Sequence, residues 1–245
     1  MTSFDDPAFP GDRWARRYEG DLTGGRDPTP AVEFLAGLAG PGGRALELGI
    51  GGGRVALPLA RRGVRVEGIE ASDAVAQRLR SVRGGDAIPV TVADMADVPV
   101  TGPFQLVYVV WNALFNLTTQ ARQVDCFRNV ARVLEPGAAF VIECFVPDPG
   151  DYDRRAVTDD VTEDSATFTL TVHDRAAQRI TQQHVTVAEN GVRLLPVAQR
   201  YSFPSELDLM AQLAGFRPAQ RYGTWERGPF DSSSRDHISV YELAG

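Results

Sequence analysis

The sequence predicts an α/β chain: a doubly wound, mostly parallel seven-stranded sheet with an antiparallel β insertion after strand 5. Three observations predict it. Short apolar runs alternate with helical stripes from Arg44 to Phe145. A glycine-rich loop, Gly49 to Gly53, follows the first run at once. From about Ala156 to Phe203 the rhythm gives way to alternating strand-like runs.

Residues 1–40 read as a helical cap, in which Val32, Leu35 and Leu38 mark a helix face over Ala31 to Ala39. Pro41-Gly42-Gly43 ends it. Residues 41–150 form the core. Ala45, Leu46 and Leu48 make the first strand, and a helix fits Arg54 to Arg62. Val64, Val66 and Ile69 make the second strand. Ser72 or Asp73 caps the next helix, with Val75, Leu79 and Val82 as its stripe. Ile88 to Val92 is the third strand, and Phe104 to Val110 the fourth, apolar enough to be covered on both faces. A helix over Ala121 to Leu134 closes at Pro136-Gly137, and Ala138 to Phe145 is the fifth strand.

Residues 151–203 form the insertion. Its strands are Thr167 to Val172, Ile180 to Val187 and Val192 to Tyr201, with Asn190-Gly191 as a hairpin turn. Their edges offer pairing across a homodimer. Here His173 and His184 are expected on a solvated strand face. Residues 204–245 return to the core, with a helix from Ser205 to Ala214 capped by Ser205. Phe216 to Thr224 and His237 to Leu243 are the last strands, His237 being structural.

Composition removes whole reaction classes. The chain has 245 residues, and its 25 basic side chains are all arginine. Without lysine it forms no Schiff base and builds no P-loop or kinase phosphate clamp. A net charge of −7 opposes nucleic-acid binding. Cys126 and Cys144, in apolar surroundings, support neither a disulfide framework nor a zinc site, and three scattered histidines make no metal motif. Met1 to Pro10 lacks an apolar leader, and no apolar run approaches the roughly 20 residues of a membrane helix. A cytoplasmic protein without membrane contact is expected.

The loop Glu47-Leu48-Gly49-Ile50-Gly51-Gly52-Gly53 carries the chemistry. Glycines after a first strand let backbone turn and approach a ligand, at the sheet edge where such sites lie. A dinucleotide fingerprint would need glycine at Arg54, and Glu47 would set negative charge beside a pyrophosphate. A cationic ligand suits Glu47 better.

The run resembles the first motif of class I S-adenosylmethionine-dependent methyltransferases, an acidic residue followed by three alternating glycines, met by Glu47, Gly49, Gly51 and Gly53. The resemblance spans residues 44–146 and implies a Rossmann-like core with S-adenosylmethionine as donor and S-adenosylhomocysteine as product. It further implies that Glu70, followed by Ala71, takes the ribose hydroxyls. By the same resemblance Asp94 takes the adenine amino group, Met95 packs the ring, and Trp111 lines the methionine moiety. Two alternatives stay open at this point: an NAD-dependent oxidoreductase and a non-catalytic S-adenosylmethionine-binding module.

Methyl transfer from a sulfonium is an in-line displacement that rests on positioning and water exclusion. The acceptor space lies past strands four and five. Its candidate walls are Trp14 and Tyr18 of the cap, Asn112, Phe115 and Phe145, with Tyr18 and Glu143 as candidate catalytic groups and no metal. Cap plus insertion resembles small-molecule methyltransferases of actinobacterial natural-product pathways, which methylate N or O of a metabolite.

Overall fold

The computed structural model describes residues 6, 8, 11, 27–148 and 153–244. Two sheets organise them. The larger holds β1 (Arg44–Leu48), β2 (Arg65–Glu70), β3 (Val90–Val92), β4 (Phe104–Val109), β5 (Leu134–Phe145), β10 (Phe216–Tyr222) and β11 (Asp236–Leu243). Their order is β10-β11-β5-β4-β1-β2-β3, parallel except for β11, which runs antiparallel to both neighbours. The smaller is an antiparallel meander of β6 (Arg154–Val161), β7 (Ser165–Asp174), β8 (Arg179–Ala188) and β9 (Gly191–Arg200).

Period-two alternation divides the strands between two cores. Leu46, Leu48, Val107, Val109, Phe140 and Ile142 point one way, onto α4 (Gln120–Ala131) and α5 (Pro204–Leu213). Ala45, Leu106, Tyr108 and Val141 point the other way, onto α1 (Thr29–Ala39), α2 (Ala56–Arg61) and Leu79 of α3 (Asp73–Ser81). Phe127 of α4 meets Phe140 and Tyr241 edge-on, at centroid distances of 5.2 and 5.8 Å. Such pairs add about 0.5–1.5 kcal/mol each beyond their buried area. Cys126 and Cys144 are free and fully buried, and burial raises both thiol pKa values, so neither serves as a nucleophile.

Local chemistry explains most boundaries. Ser72 caps α3, its hydroxyl accepting the Val75 N–H at 3.3 Å. Four expectations shift. β5 starts at Leu134 rather than Ala138, because the Pro136-Gly137 turn lies inside the strand as a register shift opposite Phe104 to Leu106. α5 starts at Pro204 with Phe203 as its cap residue, so Ser205 does not cap it; proline needs no N–H partner in a first turn. The insertion has four strands, its first being Arg154–Val161. His173 is 4% exposed and bonded through Nε2 to the Tyr201 hydroxyl at 3.0 Å, not solvated.

Arg200, at the end of β9, fastens the insertion to the core. One guanidinium nitrogen donates to Gln123 Oε1 of α4 at 2.9 Å and Ser202 Oγ at 2.7 Å. The other donates to Gln178 Oε1 at 3.0 Å and Glu206 Oε1 of α5 at 2.7 Å. Among the described residues no helix is long and apolar enough to cross a membrane.

Candidate active site at the carboxyl edge of the sheet

The loop after β1 is tied to β2 at one point: the N–H groups of Gly49 and Ile50 both donate to the Ile69 carbonyl, at 2.8 and 3.0 Å. Its glycines then have separate reasons. Gly51 has φ +54, and among the described residues a Cβ there would meet only the Gly49 carbonyl, at 3.9 Å. Gly49, φ +69, lies under Ala113 and Met95, whose Cβ and Sδ would be 3.3 and 3.9 Å from an added Cβ. Gly53 serves packing instead: a Cβ would sit 2.5 Å from Leu79 of α3 and 3.1 Å from Leu57 of α2.

Glu70 closes the loop from the end of β2. Its Oε2 accepts the Gly51 N–H and its Oε1 accepts the Ser72 N–H, each at 3.0 Å, with Ala71 as the link. A carboxylate has about four lone-pair sites and can hold several donors at once. Gly11 arrives at the same place, where an added Cβ would lie 2.6 Å from Ser72 Cβ and 3.5 Å from Glu70 Oε1. No sequence pattern marks this close approach of the amino-terminal segment.

Glu47 behaves differently from its sequence reading. It is 3% exposed and lies in register beside Tyr108 of β4, whose hydroxyl donates to Oε2 at 3.0 Å. Burial lifts its pKa to about 8, although Tyr108 and the Ala56 N–H both favour the charged form. Its carboxyl therefore anchors α2 and β4 rather than offering a fixed negative charge in the loop. The folded pKa exceeds the unfolded one, so the folded state holds the proton more tightly and stability falls as pH rises from about 4.5 to about 8. Each pH unit in that window removes up to about 1.4 kcal/mol. Glu47→Gln is expected to melt close to wild type near pH 5 and several degrees above it at pH 8.5. Parallel melting curves at all pH values would refute this.

Asp94 lies between two donors. Oδ1 accepts the Ala96 N–H at 2.8 Å, and Oδ2 pairs with Arg122 of α4 at 3.0 Å. Arg122, absent from the sequence reading, also reaches Asp97 at 2.8 Å.

The end of β4 is the most unusual backbone here. Trp111 and Asn112 both adopt φ +59, a left-handed region that non-glycine residues rarely enter. β5 supplies what holds them. Glu143 Oε2 accepts the Trp111 N–H at 3.0 Å, and its Oε1 accepts the Trp225 indole N–H at 3.0 Å. Asn112 Oδ1 accepts the Phe145 N–H at 2.6 Å. The Arg54 guanidinium stacks on the Trp111 ring at 3.5 Å. Glu143 thus acts as a clamp. Glu143→Gln, whose amide accepts at one atom only, is expected to lower kcat/KM about tenfold while leaving the shape of its pH profile intact. Loss of one limb of that profile would instead make Glu143 a base.

Of the acceptor-side candidates, Phe145 is half-buried and Phe115 is fully buried in the core, edge-on to it at 5.0 Å. Phe115 thus backs Phe145, with no surface of its own. Trp14 and Tyr18 lie outside the described residues. The remaining candidates meet at one edge: the loop, Glu70, Asp94-Met95, Trp111-Asn112 and Glu143.

Residues 45–137 match a family described as a methyltransferase domain. The CcbJ methyltransferase of Streptomyces caelestis is 35% identical, superposes with a TM-score of 0.90, and covers 98% of this chain and 100% of its own. The cypemycin N-terminal methyltransferase of a Streptomyces species is 26% identical over 206 residues, 82% of this chain and 83% of that protein. The sugar N-methyltransferase KedS8 of Streptoalloteichus shares the fold at TM-score 0.68 and 20% identity, over 96% of this chain and 92% of its own.

Proposed function

The chain belongs to the class I S-adenosylmethionine-dependent methyltransferases, and we propose that it methylates nitrogen or oxygen of a small-molecule metabolite in natural-product biosynthesis. Membership decides against the NAD-dependent oxidoreductase and the non-catalytic module. The observation that carries the donor side is Glu70 at the end of β2, whose carboxylate spans the Gly51 turn of the glycine loop. On the acceptor side, the cypemycin N-terminal methyltransferase and the sugar N-methyltransferase KedS8 support a nitrogen acceptor.

The residues fit the donor. Gly49 and Gly51 leave backbone without side chains, Glu70 and Asp94 offer acceptors for hydroxyl and amino groups, and Met95 is soft and apolar. When bound, S-adenosylmethionine supplies an electrophilic methyl on a sulfonium. The chain then orients and dries the site. The Trp111-Asn112 turn, held by Glu143 and Phe145, sets the floor between β4 and β5. The insertion that follows β5 serves as a lid that excludes water, which favours displacement of a sulfonium. An acceptor proton leaves to water, a carboxylate, tyrosine or histidine, since arginine is too basic to take it. Free buried thiols support a reducing, cytoplasmic setting.

The test incubates the purified protein with S-adenosylmethionine and panels of amines, alcohols and phenols, following S-adenosylhomocysteine release and the methylated product by mass spectrometry. Turnover on a small amine or hydroxyl compound supports the reading. Transfer only to protein or nucleic acid would overturn it.

A further inference from the structure

Arg54 stands where a dinucleotide fingerprint would carry glycine, and its side chain turns toward the end of β4. The guanidinium stacks on the Trp111 ring, Cζ 3.5 Å from the centroid, and Nε is buried. Both partners of the stack are fixed. Gly53, at φ +77, lies against Leu79 and Leu57, while Val55 and Ala56 are buried, so the backbone on either side of Arg54 is anchored. Trp111 is held at φ +59 through its N–H by Glu143, yet its side chain is 39% exposed.

The charge of Arg54 matters for this donor. S-adenosylmethionine has two cationic centres, the sulfonium and the ammonium, and one anion, the carboxylate. A fixed guanidinium on Trp111, the residue expected to line the methionine moiety, repels both cations and attracts the carboxylate. The loop does not cancel that charge, because Glu47 turns inward to Tyr108 and burial favours its protonated form. Asp27 feels the Arg54 charge but commits Oδ1 to the hydroxyl and N–H of Thr29. Arg122, beside Asp94 at the end expected to take adenine, is bonded to Asp94 and Asp97. Stacking uses the face of a guanidinium. Its N–H groups lie in the plane, where a carboxylate takes two parallel bonds.

We propose that Arg54 binds the carboxylate of the donor's methionine moiety, with Trp111 as the platform that orients it. Glu143 then serves the donor as well, since it holds that platform through the Trp111 N–H. Lysine is a poor substitute: a compact ammonium neither stacks as a plane nor pairs at two points.

The inference rests on the S-adenosylmethionine reading, and calorimetry with three ligands separates the two. S-adenosylhomocysteine has an ammonium and a carboxylate, its decarboxylated analogue the ammonium alone, and methylthioadenosine neither. Arg54→Gln is expected to bind S-adenosylhomocysteine about thirtyfold more weakly than wild type. It should bind the decarboxylated analogue severalfold more tightly, because a repelling charge is gone, and methylthioadenosine within about twofold of wild type. Opposite signs for two ligands that share an adenosine are not produced by an arginine that merely supports the loop. Arg54→Lys keeps the charge and guards against a variant that fails to fold. It should lose about tenfold for S-adenosylhomocysteine and leave methylthioadenosine unchanged. Equal weakening of all three ligands by Arg54→Gln would make the residue structural and overturn the proposal, as would unchanged affinity for S-adenosylhomocysteine. A wild type that binds none of the three would overturn the donor reading itself, and this inference with it.

Discussion

Glu70→Ala is expected to weaken S-adenosylhomocysteine binding by at least about a hundredfold, roughly 3 kcal/mol, when titrated by calorimetry. The size follows from what the carboxylate does at once. It accepts Gly51 N–H across the loop and Ser72 N–H at the start of α3, and it is the acceptor we propose for the ribose hydroxyls. Hydrogen bonds to a charged group contribute about 1.5–3 kcal/mol each. Removing the carboxylate loses the ligand contacts and frees the loop they depend on. Asp94→Asn provides the contrast. Asp94 is already paired with Arg122 and the Ala96 N–H, and the amide keeps an acceptor, so a loss of only about tenfold is expected. A Glu70→Ala affinity within threefold of wild type would remove Glu70 from the donor site.

Gly68→Ala is expected to cost about 2–4 kcal/mol of folding free energy, lowering the melting temperature by about 5–12 °C. The added Cβ would lie 2.4 Å from Ile50 Cδ1 and 2.8 Å from both Ile50 Cβ and Cγ2. Ile50 cannot step back. It is 3% exposed, and its N–H is bonded to the Ile69 carbonyl, one residue from the clash. The strain falls on the loop that holds the donor, so donor affinity should drop with stability. A compensating Ile50→Ala should restore part of both, because the two side chains compete for one volume. Strictly additive losses in calorimetric melts would mean that Gly68 matters for some other reason.

How far the sequence was legible depends on which physics set each element. β1, β2, β4 and most of β5 announce themselves through apolar runs, because strands covered on both faces need them. The glycine loop and Glu70 were equally readable, since backbone conformation and chain distance constrain both. β6 was hidden because Arg154–Val161 is exposed nearly throughout and shows no alternation that burial would impose. His173 was misplaced for a related reason: the insertion buries its polar face, so the usual rule points the wrong way. Glu47 was found, but its direction was not. Only the register with Tyr108, 61 residues away, shows that it turns inward. Arg122 and Gly11 act through tertiary approaches that no local pattern encodes.

The strand order has a consequence for biosynthesis. β11 lies between β5 and β10, antiparallel to both, although it follows the other ten described strands in the chain. Until Asp236–Leu243 leaves the ribosome, the nascent sheet exposes one whole edge of β5, from Ala139 to Phe145, with its apolar neighbours. A chain stalled before that point carries a template for strand addition by another molecule. Quality control of this protein therefore hinges on β11: a chain cut between β10 and residue 236 should be an aggregation-prone product rather than a slightly shortened enzyme.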